Sequence, residues 1–316
     1  MTGALRFGVR GAALVSALLG PLSAEAWPDR PVQWIVPYAA GAATDLLART
    51  LADAMGPLIG QPIAVVNKDG ASATLGVTLV AQAKPDGYTL GFTAIGPITI
   101  QPHLMKDLAY KVDAFQPICQ TADLIFGMGV KADSPFKTVA DLVSAAKSGK
   151  RIAYGVTGTN TVPHLDVIEF RLKAGIDLQH APYRGDAPVL QALNAGEIDI
   201  AVIGIGTIVA QNLRALGIFA DARVADAPDL PTFREQGFAV AQTAPAGLIG
   251  PRGLPADIVG KLQVACAEAV KSPRYVDLAR STRQSLIYRP GDDFAKVIAA
   301  DFALKGDLIR QGGKTE

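Results

Sequence analysis

Apolar positions along the chain follow two periods, one suited to strands and one to helices, and the two take turns. Val32 to Val36 is a short apolar strand. It runs into the turn Pro37-Tyr38-Ala39-Ala40-Gly41-Ala42-Ala43-Thr44, after which Leu47, Leu51, Met55 and Leu58 form a helical stripe that Gly60 ends. Ile63 to Val66 reads as a second strand, Asp69 to Ser72 as a loop, and Leu75 to Ala83 as a second helix halted by Pro85-Asp86-Gly87. Tyr88 to Thr93 is a third strand. A βαβαβ unit of this kind predicts a mainly parallel sheet with helices on both faces.

The same alternation returns further on. Thr138 to Ser148 predicts a helix, Arg151 to Val156 a strand, and Val162 to Lys173 a helix with Leu165, Ile168 and Leu172 on one side, closed by Gly175. A strand near Leu178 to Tyr183, a helix from Ala187 to Asn194 and a strand from Ile198 to Ile203 complete a second unit. Beyond the Pro-rich stretch Asp226 to Thr232 and the apolar segment Ala246 to Gly250 come two amphipathic helices, Asp257 to Lys271 and Phe294 to Arg310. Showing no strand run of their own, they are expected to pack back on the first sheet. The organisation this implies is residues 27–122 with 252–316 as one domain and 123–251 as the other, a hinged clamp that the chain crosses twice.

At the amino terminus Arg6 and Arg10 precede the apolar run Gly11 to Leu22, and Ala24-Glu25-Ala26 carries small residues at both positions a signal peptidase reads. Residues 1–26 are therefore expected to be a cleaved export signal, with the mature protein beginning at Trp27 in the periplasm. The run is shorter than the roughly 20 residues a membrane span needs, and Gly20 and Pro21 interrupt it. From 30 basic and 29 acidic side chains, losing Arg6, Arg10 and Glu25 leaves the two kinds in equal number. That balance argues against nucleic acid or an anionic membrane surface as partner.

Cys119 and Cys266 could pair in an oxidising compartment. Each lies in an apolar stretch, however, and two buried free thiols is the reading favoured here. His103, His164 and His180 stand singly and no CxxC is present, so neither a metal nor a cofactor is expected. GxSxG, GxxxxGK[ST], HExxH and GxGxxG are all absent, which argues against an enzyme without excluding one.

Three strand-to-helix turns carry the candidate chemistry. Tyr38 to Thr44 opens a helix whose first amides lack intrahelical partners, and small residues at Ala40, Gly41, Ala42 and Ala43 would let a carboxylate reach them. Thr157-Gly158-Thr159-Asn160-Thr161 adds hydroxyls and an amide before Pro163. Arg184-Gly185-Asp186 adds a guanidinium and an acceptor. Ligands of open α/β sheets bind at the carboxyl ends of strands, where all three turns lie. Each also has a local reading: Thr161 as a helix cap, Asp45 and Asp166 as complements of a helix dipole, His164 as a structural hydrogen-bonding residue, and Tyr183 as core or pocket wall.

Trp27-Pro28-Asp29-Arg30-Pro31-Val32 and Ile35 to Asp45 resemble the mature start of the Bug family, the solute-binding proteins of tripartite tricarboxylate transporters. So do Pro85 to Leu90, Tyr154 to Asn160 with His164-Leu165, Pro182 to Pro188, Ala195 to Asp199, Leu230-Pro231-Thr232 with Gly237-Phe238, and Gly247 to Pro251. The resemblance implies an α/β fold of the periplasmic binding protein type II: two α/β domains joined by a two-strand hinge, with the ligand cleft between them. It implies carboxylate binding through Tyr38, Ala40, Gly41, Ala42, Thr44 and Asp45, through Thr93 and Ala94, and through Gly158, Thr159, Asn160, Thr161, His164, Tyr183, Gly185 and Asp186; Ile203 is expected to join Tyr38 as an apolar wall. It further implies delivery to a membrane complex of one large and one small subunit, driven by an ion gradient. Two departures stand out. The family's Gly-Gly in the first loop is Gly41-Ala42, and its Pro-Gly-Ala-Gly-Gly after the second strand reads Asp69-Gly70-Ala71-Ser72-Ala73.

The reading is thus a monomeric periplasmic protein that clamps a small carboxylate. A di- or tricarboxylate, an acidic amino acid and an aromatic acid all suit amide-lined turns. An adaptor presenting the same ligand to a membrane sensor kinase would need the same pocket, and a periplasmic enzyme on this scaffold is the remaining alternative.

Overall fold

The structure, a computed structural model, describes residues 27–312. The export signal expected at residues 1–26 lies outside the described residues. Two sheets organise the chain. The first contains β1 (Val32–Val36), β2 (Ile63–Asn67), β3 (Thr89–Ala94), β4 (Phe115–Leu124), β10 (Ala244–Pro251) and β11 (Ser285–Pro290), in the order β11-β4-β10-β3-β1-β2. The second contains β5 (Phe126–Val130), β6 (Ala153–Thr157), β7 (Gln179–Tyr183), β8 (Ile200–Gly204) and β9 (Arg214–Ile218), in the order β7-β6-β8-β5-β9. Connecting them are α1 (Ala43–Ile59), α2 (Thr74–Ala81), the short α3 (Gly96–Thr99) and α4 (Gln101–Leu104), α5 (Val139–Lys147), α6 (Val162–Ala174), α7 (Asp186–Ala195), α8 (Ile205–Ala210), α9 (Ala256–Ala269), α10 (Pro273–Ser281) and α11 (Gly291–Gly312).

Both βα units form where the periodicity puts them. Along α1, Leu47, Leu51, Met55 and Ile59 step by four on the buried face, so the stripe ends on Ile59 and Leu58 stands 49 % exposed. Gly60 closes the helix at φ 88°, its amide donating to the Gly56 carbonyl. Away from the strand ends, α5 shows the other way to start a helix. Thr138 accepts from the Asp141 amide while the Asp141 carboxylate accepts from the Thr138 amide.

What the local pattern does not show is how the sheets are completed. β1 pairs parallel with β2 and β3, but β10 enters antiparallel between β3 and β4, and β11 closes the edge antiparallel to β4. In the second sheet β6 is parallel to β7 and β8, and β5 is antiparallel to both β8 and β9. Two expectations need correcting. The C-terminal segment does carry a strand, β11, whose Leu286 and Tyr288 face outward on a sheet edge and so give no continuous apolar run. The boundary at 251 also fails, because Ala244–Pro251 is buried throughout and occupies the middle of the first sheet. The chain leaves that sheet at Leu124, passes Ile125 into β5, and returns to it at Ala244. The Ile125 amide is held at the crossing by the Gln284 side-chain oxygen at 2.9 Å.

Between the two sheets the fully buried Lys305 of α11 donates to Gln242 Oε1 and pairs with Asp301 at 3.6 Å. Gln242 in turn donates to Glu169 of α6. Asp166, read as a complement of the α6 dipole, is buried beside this group, and burial pushes its pKa well up.

Cys119 and Cys266 form a disulfide, which overturns the free-thiol expectation. The bond fastens β4 to α9, two elements that pack together only because α9 folds back over the first sheet. Nearby, Tyr275 of α10 donates to the Thr121 hydroxyl at 2.7 Å, both side chains being fully buried. Tyr275→Phe should lower the unfolding free energy by about 1–2 kcal/mol, read as a shifted midpoint in urea.

Candidate functional site

The loop between β1 and α1 is laced from behind. Asp45, almost wholly buried, accepts from the Gly41 amide at 2.8 Å, from Arg49 Nε at 3.1 Å and from Asn67 Nδ2 at 2.8 Å. That Asn67 nitrogen also donates to the Tyr38 carbonyl at 2.9 Å, while Arg49 donates to Asn67 Oδ1 at 2.7 Å. Burial raises the pKa of Asp45, but the hydrogen bonds from Arg49, Gly41 and Asn67 outweigh it and hold the carboxyl below the usual range. Two candidate contacts change role in consequence. Asp45 is a brace, and the Gly41 amide is already spent on it.

The Ala42 amide closes a turn onto the Ala39 carbonyl at 3.2 Å, and Ala42 supplies no side-chain cap. The amides still lacking helical partners are those of the first turn, from Ala43 to Asp45. Ala40 is exposed beside them and Thr44 is buried. Tyr38 is half-buried next to Thr93; burial pushes its pKa up to about 12, while the Thr93 hydroxyl works the other way. Its hydroxyl is therefore a neutral donor at any ordinary pH. Thr93 and Ala94 are buried, and the Thr93 hydroxyl is taken by the Ala94 carbonyl at 2.7 Å.

In the second sheet the loop after β6 is half-exposed from Gly158 to Thr161. Thr161 precedes α6 but does not cap it, because its hydroxyl donates to the Gly158 carbonyl at 2.9 Å. Asn160 sits at φ 58°, and its amide donates to His164 Nδ1 at 3.0 Å. His164 is fully buried and stacks on His180 at 4.0 Å between centroids, so two histidines that stand apart in sequence lie face to face. It supports the loop from below, which is not the position of a ligand contact.

Further along that edge, Gly185 precedes α7 at φ 96° and Arg184 is exposed. Asp186 accepts from the Thr207 hydroxyl at 2.9 Å, and burial raises its pKa. Tyr183 lies against Gly155 and Ile198, on the apolar side of β7. Ile203 has no exposed surface and packs with Val189 and Leu193 of α7; it belongs to the core and is not a cleft wall.

The structure brings the two lobes together at the β6–α6 loop through residues outside the candidate set. Gln101, at the start of α4, donates to the Asn160 carbonyl at 2.9 Å, and Ser72 donates to the Thr159 carbonyl at 3.3 Å. Around Ser72 the chain is unusual: Ala71, Ser72 and Ala73 all have positive φ, at 47°, 54° and 69°. This is the stretch where the Bug pattern has glycines, the residues that adopt such angles freely. Nothing in the sequence around Gln101, Gly96-Pro97-Ile98-Thr99-Ile100, marks it as a residue that reaches the other lobe. Nothing local marks Asn67 or Thr207.

Two α/β lobes joined by a double crossing of the chain, with loops of both meeting at the strand ends, define a bilobal binding protein of the periplasmic type. Residues 47–313 match the family described as the tripartite tricarboxylate transporter family receptor. The chain belongs to that family. It is 33 % identical to a UPF0065 protein in the gbd 5' region of Cupriavidus necator, covering 96 % of this chain and 95 % of that one. Among solved structures, R. palustris Rpa4515 with adipate superposes with a TM-score of 0.84 at 26 % identity, covering 91 % of this chain and 98 % of that one. MatC from Rhodopseudomonas palustris with bound malate gives 0.81 at 28 % identity, covering 90 % and 100 %. These likenesses accord with the Bug resemblance and with the two-lobed α/β expectation.

Proposed function

We propose that this protein is an exported, monomeric solute receptor that clamps a small dicarboxylate between its lobes and passes it to one large and one small membrane subunit, without chemical turnover. The observation that carries the reading is the meeting of the lobes at the strand ends, where Ser72 and Gln101 of the first reach the β6–α6 loop of the second, beside two helix starts, those of α1 and α6, that have no side-chain cap. An uncapped start is not a site in itself, since α9 and α10 lack side-chain caps too. What distinguishes α1 and α6 is their place at the strand ends where the lobes touch, in a fold whose relatives were solved with adipate and malate.

In this arrangement one carboxylate takes the first-turn amides of α1 and the neutral Tyr38 hydroxyl, and the other takes the Thr159 hydroxyl and the first-turn amides of α6. The helix dipoles favour both negative ends, and a ligand touching both lobes stabilises the closed form. Trp27 is then the mature first residue, and the compartment is oxidising, which agrees with the Cys119–Cys266 bond.

Calorimetric titration with malate and with adipate tests the reading. One of the two should bind, and Thr159→Val, which removes a donor at nearly constant shape, should weaken binding by about ten- to a hundredfold. Wild-type affinity in that variant would place the ligand elsewhere.

A further inference from the structure

Asn160 is held at both ends of its backbone by side chains from different lobes. Its amide donates to His164 Nδ1 at 3.0 Å within the second lobe, and its carbonyl accepts from Gln101 Nε2 at 2.9 Å from the first. Gln101 is 4 % exposed and His164 has no exposed surface, so neither is a floating surface contact. Apolar packing backs the junction: Val162 and Leu165, at the start of α6, join the buried cluster of the first lobe together with Leu47 and Phe92.

We infer that Gln101, Asn160 and His164 form a closure latch, in which the Asn160 backbone is the strike plate, His164 sets its position and Gln101 engages it when the lobes meet. The inference rests on the clamp reading above and names side chains that position the ligand loop without themselves touching ligand.

Three features of the geometry make this a latch and not an incidental contact. Asn160 at φ 58° turns its amide and carbonyl away from the ladder partners a strand or helix would offer, and left-handed geometry is one that asparagine tolerates better than most residues. A backbone amide can donate to Nδ1 only when that nitrogen is unprotonated, so the bond fixes the neutral ring with its proton on Nε2. The ring cannot swing, because it is stacked on His180 at 4.0 Å and lies near Tyr154. Gln101 thus meets a carbonyl whose direction is already set, and the hydrogen bond forms without ordering the loop anew. Ser72 adds a second, longer reach to the neighbouring Thr159 carbonyl.

Amide hydrogen exchange on the ligand-free, disulfide-bonded protein tests the latch directly. Gln101→Leu and Gln101→Glu each remove the donor at about constant volume, and both should speed exchange across residues 158–161 by about five- to tenfold. Melting temperatures taken alongside separate this from global loss of structure. For His164, Gln supplies an oxygen acceptor and Leu does not, so His164→Gln should retain more protection at Asn160 than His164→Leu. The wild type provides a readout free of any substitution, a through-hydrogen-bond coupling between the Asn160 amide and His164 Nδ1. Unchanged exchange in both Gln101 variants overturns the latch; absence of the coupling, or equal loss in the two His164 variants, overturns the part assigned to His164. Titration with malate and adipate keeps the two readings apart. A roughly fivefold weaker affinity in Gln101→Leu supports the latch as part of binding, whereas failure of both acids to bind the wild type would sink the dicarboxylate reading and leave the exchange result standing on its own.

Discussion

Reducing the Cys119–Cys266 bond should lower the unfolding free energy by about 3–5 kcal/mol, the largest stability change expected of any single alteration here. The reason lies mainly in the unfolded chain. The bridge spans 147 positions, and tying ends that far apart removes far more unfolded conformations than a short loop would. In the folded state it joins β4, between β11 and β10 in the first sheet, to α9 on its face, so the reduced protein keeps both buried positions and loses only the tie. Urea unfolding with and without reductant measures the difference, and a Cys119→Ala, Cys266→Ala protein should follow the reduced curve. A midpoint indifferent to reductant would mean that the unfolded chain is already compact around this region.

Replacing Asp45 should have the largest effect on the site. Its carboxylate gathers the Gly41 amide, Arg49 and Asn67 into one buried cluster, and Asn67 in turn holds the Tyr38 carbonyl. Asp45→Ala leaves these donors facing a void, at a cost of about 2–4 kcal/mol, and it frees the loop that presents Tyr38 and the start of α1. Affinity for whichever of malate and adipate the wild type binds should fall more than tenfold. The dependence on pH follows from the direction of the shift. Because hydrogen bonds hold the folded pKa below that of an unfolded aspartate, about 3.9, the carboxylate's contribution is complete above that value and is lost as pH falls through the folded pKa. Asp45→Asn should therefore show a shallower loss of stability than wild type as pH falls below about 4. Identical slopes would mean the cluster is not bearing on the fold as described.

The candidate site was partly legible in advance because the chemistry of a strand-to-helix turn is local. Small residues at Ala40 to Ala43 and hydroxyls at Thr159 and Thr161 mark places where backbone amides come free, and that information sits within a few adjacent positions. What each side chain does with its hydrogen bonds is not local. Gly41 reads as an open donor until Asp45 folds back on it, and Thr161 reads as a cap until its hydroxyl turns to the Gly158 carbonyl. His164 and Ile203 look like cleft residues from their distance to the loops, yet both point into the core.

By itself the sequence determined the two βα units, the ends of their helices at Gly60 and Gly175, and the turns at the strand ends. Each depends on periodicity and on backbone preferences that act over a few residues. Only the tertiary structure decided the rest. β4, β10 and β11 form because neighbouring strands take up their backbone groups: β4 buries the adjacent polar Gln120 and Thr121, against the in-out alternation of a half-buried strand, and β11 shows apolar residues to solvent on a sheet edge. Cys119 meets Cys266, and Gln101 meets Asn160, through contacts 147 and 59 positions apart. Such pairings are set by how whole lobes pack, a property of summed burial and complementary shape that no short window of residues contains.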